Sequence, residues 1–220
     1  MHVRDIPVLG DVVDSAVVYV TTLARIVRHP FGFVHTIAFD EPDALRRAFK
    51  FIGAAIALGY LIISPALTRH GFDVGELRFG AVILLRLLLV TAIYHAAFLA
   101  LGYRQPVAKS LILSSYLNGV YFPIFMAALL PDLLALGPQA FFQPFSERPT
   151  QLSVEEHWPV ALGYLLLLVA YPFFFAVAST WWARAFGARV WLGAALLLAS
   201  VVIAGLGNLY VLPWVTRWLV

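Results

Sequence analysis

The sequence predicts an all-α membrane protein, with five transmembrane helices preceded by an N-terminal interfacial amphipathic helix. Three observations predict it. Five apolar stretches, at residues 51–67, 80–101, 111–130, 159–180 and 187–212, are each about as long as a bilayer core is thick, since a helix rises ~1.5 Å per residue and the hydrocarbon spans ~30 Å. Hydrophobic residues make up 62% and charged residues 12% of the chain, with a mean hydropathy of +0.87, a charged share about half that of soluble domains. The six tryptophans (Trp158, Trp181, Trp182, Trp191, Trp214 and Trp218) all fall near predicted span ends, where amphipathic rings favour the headgroup level.

The organisation that follows is a cytoplasmic interfacial segment at residues 1–41 and a five-span bundle at residues 42–220. The first apolar run follows Asp11 and Asp14 without a basic leader or a small-residue cleavage site, so no signal peptide is expected. Over residues 11–28, a helical wheel gathers Asp11, Asp14, Ser15, Thr21, Thr22, Arg25 and Arg28 on one arc, with Val12, Ala16, Val20, Leu23 and Val27 opposite. Such a helix lies in the membrane interface. The alternative is a sixth span, in which Asp14 and Arg25 would both need partners in lipid. His29-Pro30 ends this helix, and Asp40-Glu41-Pro42 starts the next, because acids and proline suit a helix N-terminus.

Basic residues set the orientation. Ten of them (Arg4, Arg25, Arg28, Arg46, Arg47, Lys50, Arg104, Lys109, Arg184 and Arg189) fall on the N-terminal side of the spans, against Arg69, Arg78, Arg148 and Arg217 on the other. This places the N-terminus in the cytoplasm and the C-terminus outside. Arg46, Arg47 and Lys50 ring the mouth of the first span, as plain topology determinants or as a binding site for anionic lipid headgroups. The pI of about 9.3 therefore records topology, and no nucleic-acid partner is expected.

Few polar groups lie inside the spans. Arg86 either snorkels to the outer interface, pairs with an acid such as Asp73 or Glu76, or belongs to an anion site. Thr91 and His95 share a face of the second span with Tyr94 beside them, and Ser114, Asn118 and Tyr121 form a stripe on the third. Taking the connection as residues 102–110, antiparallel pairing puts His95 at a depth between Ser114 and Asn118. The patch is read as interhelical hydrogen bonding, or as a polar site for a ligand or lipid headgroup. In the fifth span, Ala195/Ala199 and Ser200/Ala204 repeat at the four-residue spacing of close helix seams, and are candidates for contact with a partner. Pro131 to Pro159 is the longest connection, and its Phe141, Phe142 and Phe145 form an aromatic cluster that could rest on lipid or help hold a partner.

Several chemistries are excluded. The chain has no cysteine, hence no disulfide, thiol catalysis or cysteine-ligated metal. No acid sits mid-span to relay protons, no intramembrane lysine to form a Schiff base, and one deep histidine does not make a b-haem pair. No G-x-S-x-G, H-E-x-x-H or P-loop is present. No catalytic residue, metal site or cofactor is expected.

Residues 28 to about 125 carry a cytoplasmic R-H-P-F-G-F at Arg28–Phe33, an acidic-Ala-Leu start to the first span (Glu41, Ala44, Leu45), a Gly102-Tyr103 loop and a third span with Tyr116 and Pro123. In these features, and in the five-span plan with N-terminus in and C-terminus out, the chain resembles the Yip family, the Ypt/Rab-interacting membrane proteins and their prokaryotic relatives. The resemblance implies a non-catalytic membrane adaptor or accessory subunit that organises partner membrane proteins among membrane lipids. The D-L-Y-G-P type motif of eukaryotic members is absent, which argues against a Rab-type GTPase partner, and the Ala/Arg/Leu-rich composition points to a bacterial cytoplasmic membrane. The alternative is a small permease or lipid-handling protein using the patch between spans two and three.

Overall fold

The computed structural model describes residues 7–70, 74–137 and 154–210. Among them are six α-helices and no strand: α1 (Pro7–Arg28), α2 (Ala44–His70), α3 (Val74–Ala100), α4 (Val107–Leu136), α5 (Val154–Phe186) and α6 (Val190–Tyr210), with a short 3-10 turn at Phe33–Thr36. Among the described residues three stretches are long and apolar enough to cross a membrane, Ala44–Arg69, Val107–Ala135 and Trp158–Phe186. Shorter apolar stretches are Leu87–Ala100 in α3 and Val190–Ser200 in α6.

Helix α4 is the centre of the bundle. It packs on α2, α3 and α5, while α6 lies against α3 and α5 and α1 lies against α2. Half of α4's apolar window is buried, compared with 17% for α5. The α2–α4 seam is the most extensive, and it is reciprocal: each helix supplies a glycine and receives the other's phenylalanine. A Cβ on Gly119 of α4 would overlap the Phe51 ring of α2, and one on Gly59 of α2 would overlap the Phe122 ring of α4. Without a hydrophobic drive between helices in lipid, such close backbone approach is what makes van der Waals packing sufficient.

Prolines shape the hydrogen bonding along these helices. Pro65 lacks an N–H for the Leu61 carbonyl, and the Ser64 hydroxyl donates to that carbonyl instead at 2.8 Å. Pro123 likewise frees the carbonyl of Gly119. The Tyr19 hydroxyl, reaching across from α1, donates to it at 3.4 Å, and burial raises the pKa of that phenol, keeping it a neutral donor. One helix thus supplies the partner that proline removed from another.

Helix α1 shows three sides. Tyr19 and Ile26 are buried against the bundle. Val20 and Val27, 62% and 68% exposed, mark an apolar flank, and exposed Asp14, Arg25 and Arg28 mark a polar one. The buried stripe runs between the two arcs that the wheel separates, because Tyr19 reaches α4.

Within the chain, the α6 seam uses only part of the small-residue run. On α6 the buried stripe is Gly193, Leu197 and Ser200, with Gly193 against the Ser179 carbonyl and the Ala183 methyl of α5. Ser200 is in that seam. Ala195 and Ala199 stand exposed on the opposite side of the helix, and the side chain of Ala204 lies outside the described residues. Trp181 and Trp182 are core residues, 0% and 3% exposed, and do not sit in an interfacial belt. Exposed Trp158 and Trp191 have the accessibility a belt residue needs.

The α4–α5 seam is the tightest to test. A Cβ at Gly163 would run into the backbone carbonyl of Ala128, whereas Gly53 has open space. Gly163→Ala should therefore destabilise the bundle by roughly 1–3 kcal/mol through overpacking. Gly53→Ala should be neutral or stabilising by up to about 1 kcal/mol from helix propensity. Unfolding of both variants in the same detergent checks the contrast.

Candidate functional site

Among the described residues, a hydrogen bond from Tyr164 to buried Asp132 at 3.1 Å joins α5 to α4. Two further places collect several polar side chains, and they differ in what those are already bonded to. The first is the patch between α3 and α4. Thr91 and Ser114 are hydrogen-bonded through their hydroxyls at 2.7 Å, and His95 Nδ1 lies 2.7 Å from Ser110 Oγ. Both pairs are one turn apart in a single antiparallel register. His95 therefore does not sit between Ser114 and Asn118 in depth but meets a serine a full turn nearer the loop. The cause is the length of the connection: α4 starts at Val107 after Pro106, several residues earlier than the apolar run indicates. The chain reverses instead at Gly102, whose φ of 88° is in the left-handed region open to glycine.

That shift disperses the rest of the patch. Asn118 Nδ2 turns back to its own helix and donates to the Ser114 carbonyl at 2.8 Å. Tyr94 faces α6, where its hydroxyl donates to the Gly193 carbonyl. Tyr121 faces α5, packed on Phe174 and Tyr171; its buried hydroxyl lies close to that of Tyr171 without good hydrogen-bond geometry. Thr91, His95, Ser110 and Ser114 satisfy one another, with the His95 ring against Phe186. The side chains of Arg86, Phe141, Phe142 and Phe145 lie outside the described residues.

The second place is the end of the bundle where α1 docks. After Pro30 the chain runs across the end of α5, and α5 holds it by its backbone. The Trp181 indole Nε1–H donates to the Pro30 carbonyl at 2.6 Å, and the Arg184 guanidinium to the Phe31 carbonyl at 2.8 Å. Arg184 also contacts His35 Nε2 at 3.2 Å, which places the acceptor nitrogen there and the proton on Nδ1. Trp181 and Arg184 are three apart, hence on one face of α5. Phe33, 5% exposed, wedges between the rings of Trp181 and Tyr116 at 5.2 and 5.5 Å. Tyr116 continues to Phe51 and Phe51 to Tyr19. Five aromatic rings thus link α1, α2, α4, α5 and the R-H-P-F-G-F segment into one cap.

Beneath the polar flank of α1, this cap encloses a cleft of about 220 Å³. Arg25 and Thr22 reach it from α1, Thr36 and Glu41 from the connecting segment, Arg47 from the first turns of α2 and Tyr116 from α4. Arg47 is ion-paired with Glu41. Near the start of α4, Lys109 sits over the Phe39 ring at 4.9 Å and donates to Gln105 at 3.2 Å. In the sequence Arg25 and Lys109 read as topology marks and Arg47 as a topology mark or part of an anionic-headgroup site. The grouping of Arg25 and Arg47 with Glu41 is not legible there, because the loop that folds Glu41 back over Arg47 has no periodicity to read. The W-W-A-R run at the end of α5 was the available signal for the clamp. No family model, curated protein or solved structure matches the chain.

The two polar places respond differently to mutation. His95→Leu removes the partner of fully buried Ser110 and should cost about 1–2 kcal/mol. Asn118→Leu removes only a bond within α4 and should cost under about 1 kcal/mol. Thermal unfolding in detergent measures both, and equal losses would mean that the register described for α3 and α4 is wrong.

Proposed function

We propose that this chain is a non-catalytic integral membrane adaptor or accessory subunit, Yip-like in plan, which organises or assembles partner membrane proteins in a bacterial cytoplasmic membrane. Its bundle crosses the bilayer five times. Helices α3 and α6, with 27 and 21 residues, reach ~40 Å and ~31 Å at ~1.5 Å per residue, enough to span alongside the three longer apolar stretches. Helix α1 lies in the cytoplasmic interface: its apolar flank at Val20 and Val27 meets lipid, its polar flank meets water, and its third side rests on the bundle.

The observation that carries this reading is the clamp of Trp181 and Arg184 on the backbone of residues 30–31. It makes the N-terminal segment a fixed cap with its charge presented outward, the form a recognition surface takes. Interior polar groups point the same way. Thr91, His95, Ser110 and Ser114 are bonded to one another and hold helices together, which leaves little for a passing solute to bind.

Three experiments test the reading. A reporter fused after Val220 should be active only outside the cell, and one inserted between Ala185 and Ala188 only in the cytoplasm; a cytoplasmic C-terminus would contradict the five-span plan. Purification in mild detergent should recover a stoichiometric membrane-protein partner. Replacing Phe141, Phe142 and Phe145 together with serine should weaken that recovery without lowering the unfolding midpoint. Solute flux in reconstituted vesicles that depends on His95 would overturn the adaptor reading in favour of a permease.

A further inference from the structure

The cleft under α1 holds donors that the packing of the cap does not use. Two guanidinium groups, from Arg25 and Arg47, line one cavity of about 220 Å³ together with the hydroxyls of Thr22 and Tyr116. Among the described residues Arg25 has no carboxylate partner, and Arg47 has one, Glu41. The hydroxyls of Thr22 and Tyr116 make no hydrogen bond among those residues. Val18, Phe33 and Ile37 supply an apolar wall, while the Arg25 and Arg47 side chains keep contact with solvent. The formal charge of the cleft is positive even with Glu41 included.

Convergent N–H and O–H donors around a small, partly apolar cavity match a tetrahedral oxyanion, which accepts several charge-assisted bonds at once. Guanidinium groups bind phosphate through paired N–H donors in a fixed fork. The ring of Tyr116 is held between Phe33 and Phe51, so its hydroxyl is placed before a ligand arrives. Glu41 is ion-paired with Arg47 and acts as an internal competitor. We propose that this cleft binds a phosphate-type oxyanion through Arg25, Thr22 and Tyr116, with Arg47 joining as it leaves Glu41. The anion is either a soluble phosphate or the headgroup of an anionic phospholipid. This site needs only the cleft and stands whether or not the chain has a protein partner.

The test uses the full chain in a non-ionic detergent and follows the unfolding midpoint at constant ionic strength. One arm titrates inorganic phosphate against chloride; the other titrates short-chain phosphatidic acid against the matching diacylglycerol, which has the tails and no phosphate. A rise with inorganic phosphate identifies a soluble anion, and a rise with phosphatidic acid alone identifies a headgroup. Arg25→Gln, at an exposed position, should leave the unliganded midpoint near wild type and weaken the effective anion about tenfold, the loss of one charge-assisted contact. Glu41→Gln should strengthen the same anion severalfold by freeing Arg47. The proposal is overturned if neither anion shifts the wild-type midpoint, if the shift is indifferent to Arg25→Gln, or if Glu41→Gln weakens binding.

Discussion

Gly119 is the position on which the rest of the structure depends. Its missing side chain admits the Phe51 ring from α2, and its carbonyl, left without a helical donor by Pro123, accepts the Tyr19 hydroxyl of α1. Three helices therefore meet at one residue. From Phe51 the contacts pass to Tyr116, Phe33 and Trp181, carrying the same constraint to the end of α5. A second aromatic group (Tyr94, Phe98, Trp182 and Phe186) ties α3 to α5 beside it. Aromatic pairs of this kind contribute ~0.5–1.5 kcal/mol each beyond area burial, so a connected set of them gives the cap and the bundle a shared stability.

This arrangement explains why a loop with little regular structure is held in place. Residues 29–43 contain one short 3-10 turn, and their order comes from carbonyls bonded by Trp181 and Arg184 and from Phe33 between two rings. Backbone groups near an apolar boundary require partners, and α5 provides them from a single face. The same clamp positions Glu41 and Thr36 over the first turns of α2, which is how the cleft comes to exist. Polar groups deeper in the bundle serve the opposite purpose, joining α3 to α4 and α3 to α6 with short hydrogen bonds between neighbours.

Helix identity was legible wherever composition decides it. The apolar runs fall within or largely within observed helices, and the stop at His29-Pro30 and the restart after Pro42 match the end of α1 at Arg28 and the start of α2 at Ala44, because proline and charge act locally. Depth was less legible. A helix start displaced from Leu111 to Val107 moves every cross-helix pair in α3 and α4 by a turn or more, and apolarity alone does not mark that start when Val107 and Ala108 precede Lys109 in sequence. Seam residues were legible only in part, since Ala195/Ala199 and Gly193/Leu197/Ser200 carry the same kind of small-residue signal on different faces. Choosing between them requires knowing where α5 stands. Trp181 illustrates the general difficulty: a tryptophan near a span end reads as a belt residue unless the segment that covers it, here residues 30–33, is known to fold back.

Helix α1 is held by the bundle, along α2 and at the Gly119 carbonyl of α4. Hydrogen exchange of the α1 amides in lipid nanodiscs tests it most directly, with wild type compared with Gly119→Ala. Amides around Tyr19 to Ile26 should be well protected in wild type and lose much of that protection in the variant, although the substitution lies about 100 residues away in sequence. Unchanged α1 protection in a folded Gly119→Ala protein would contradict it.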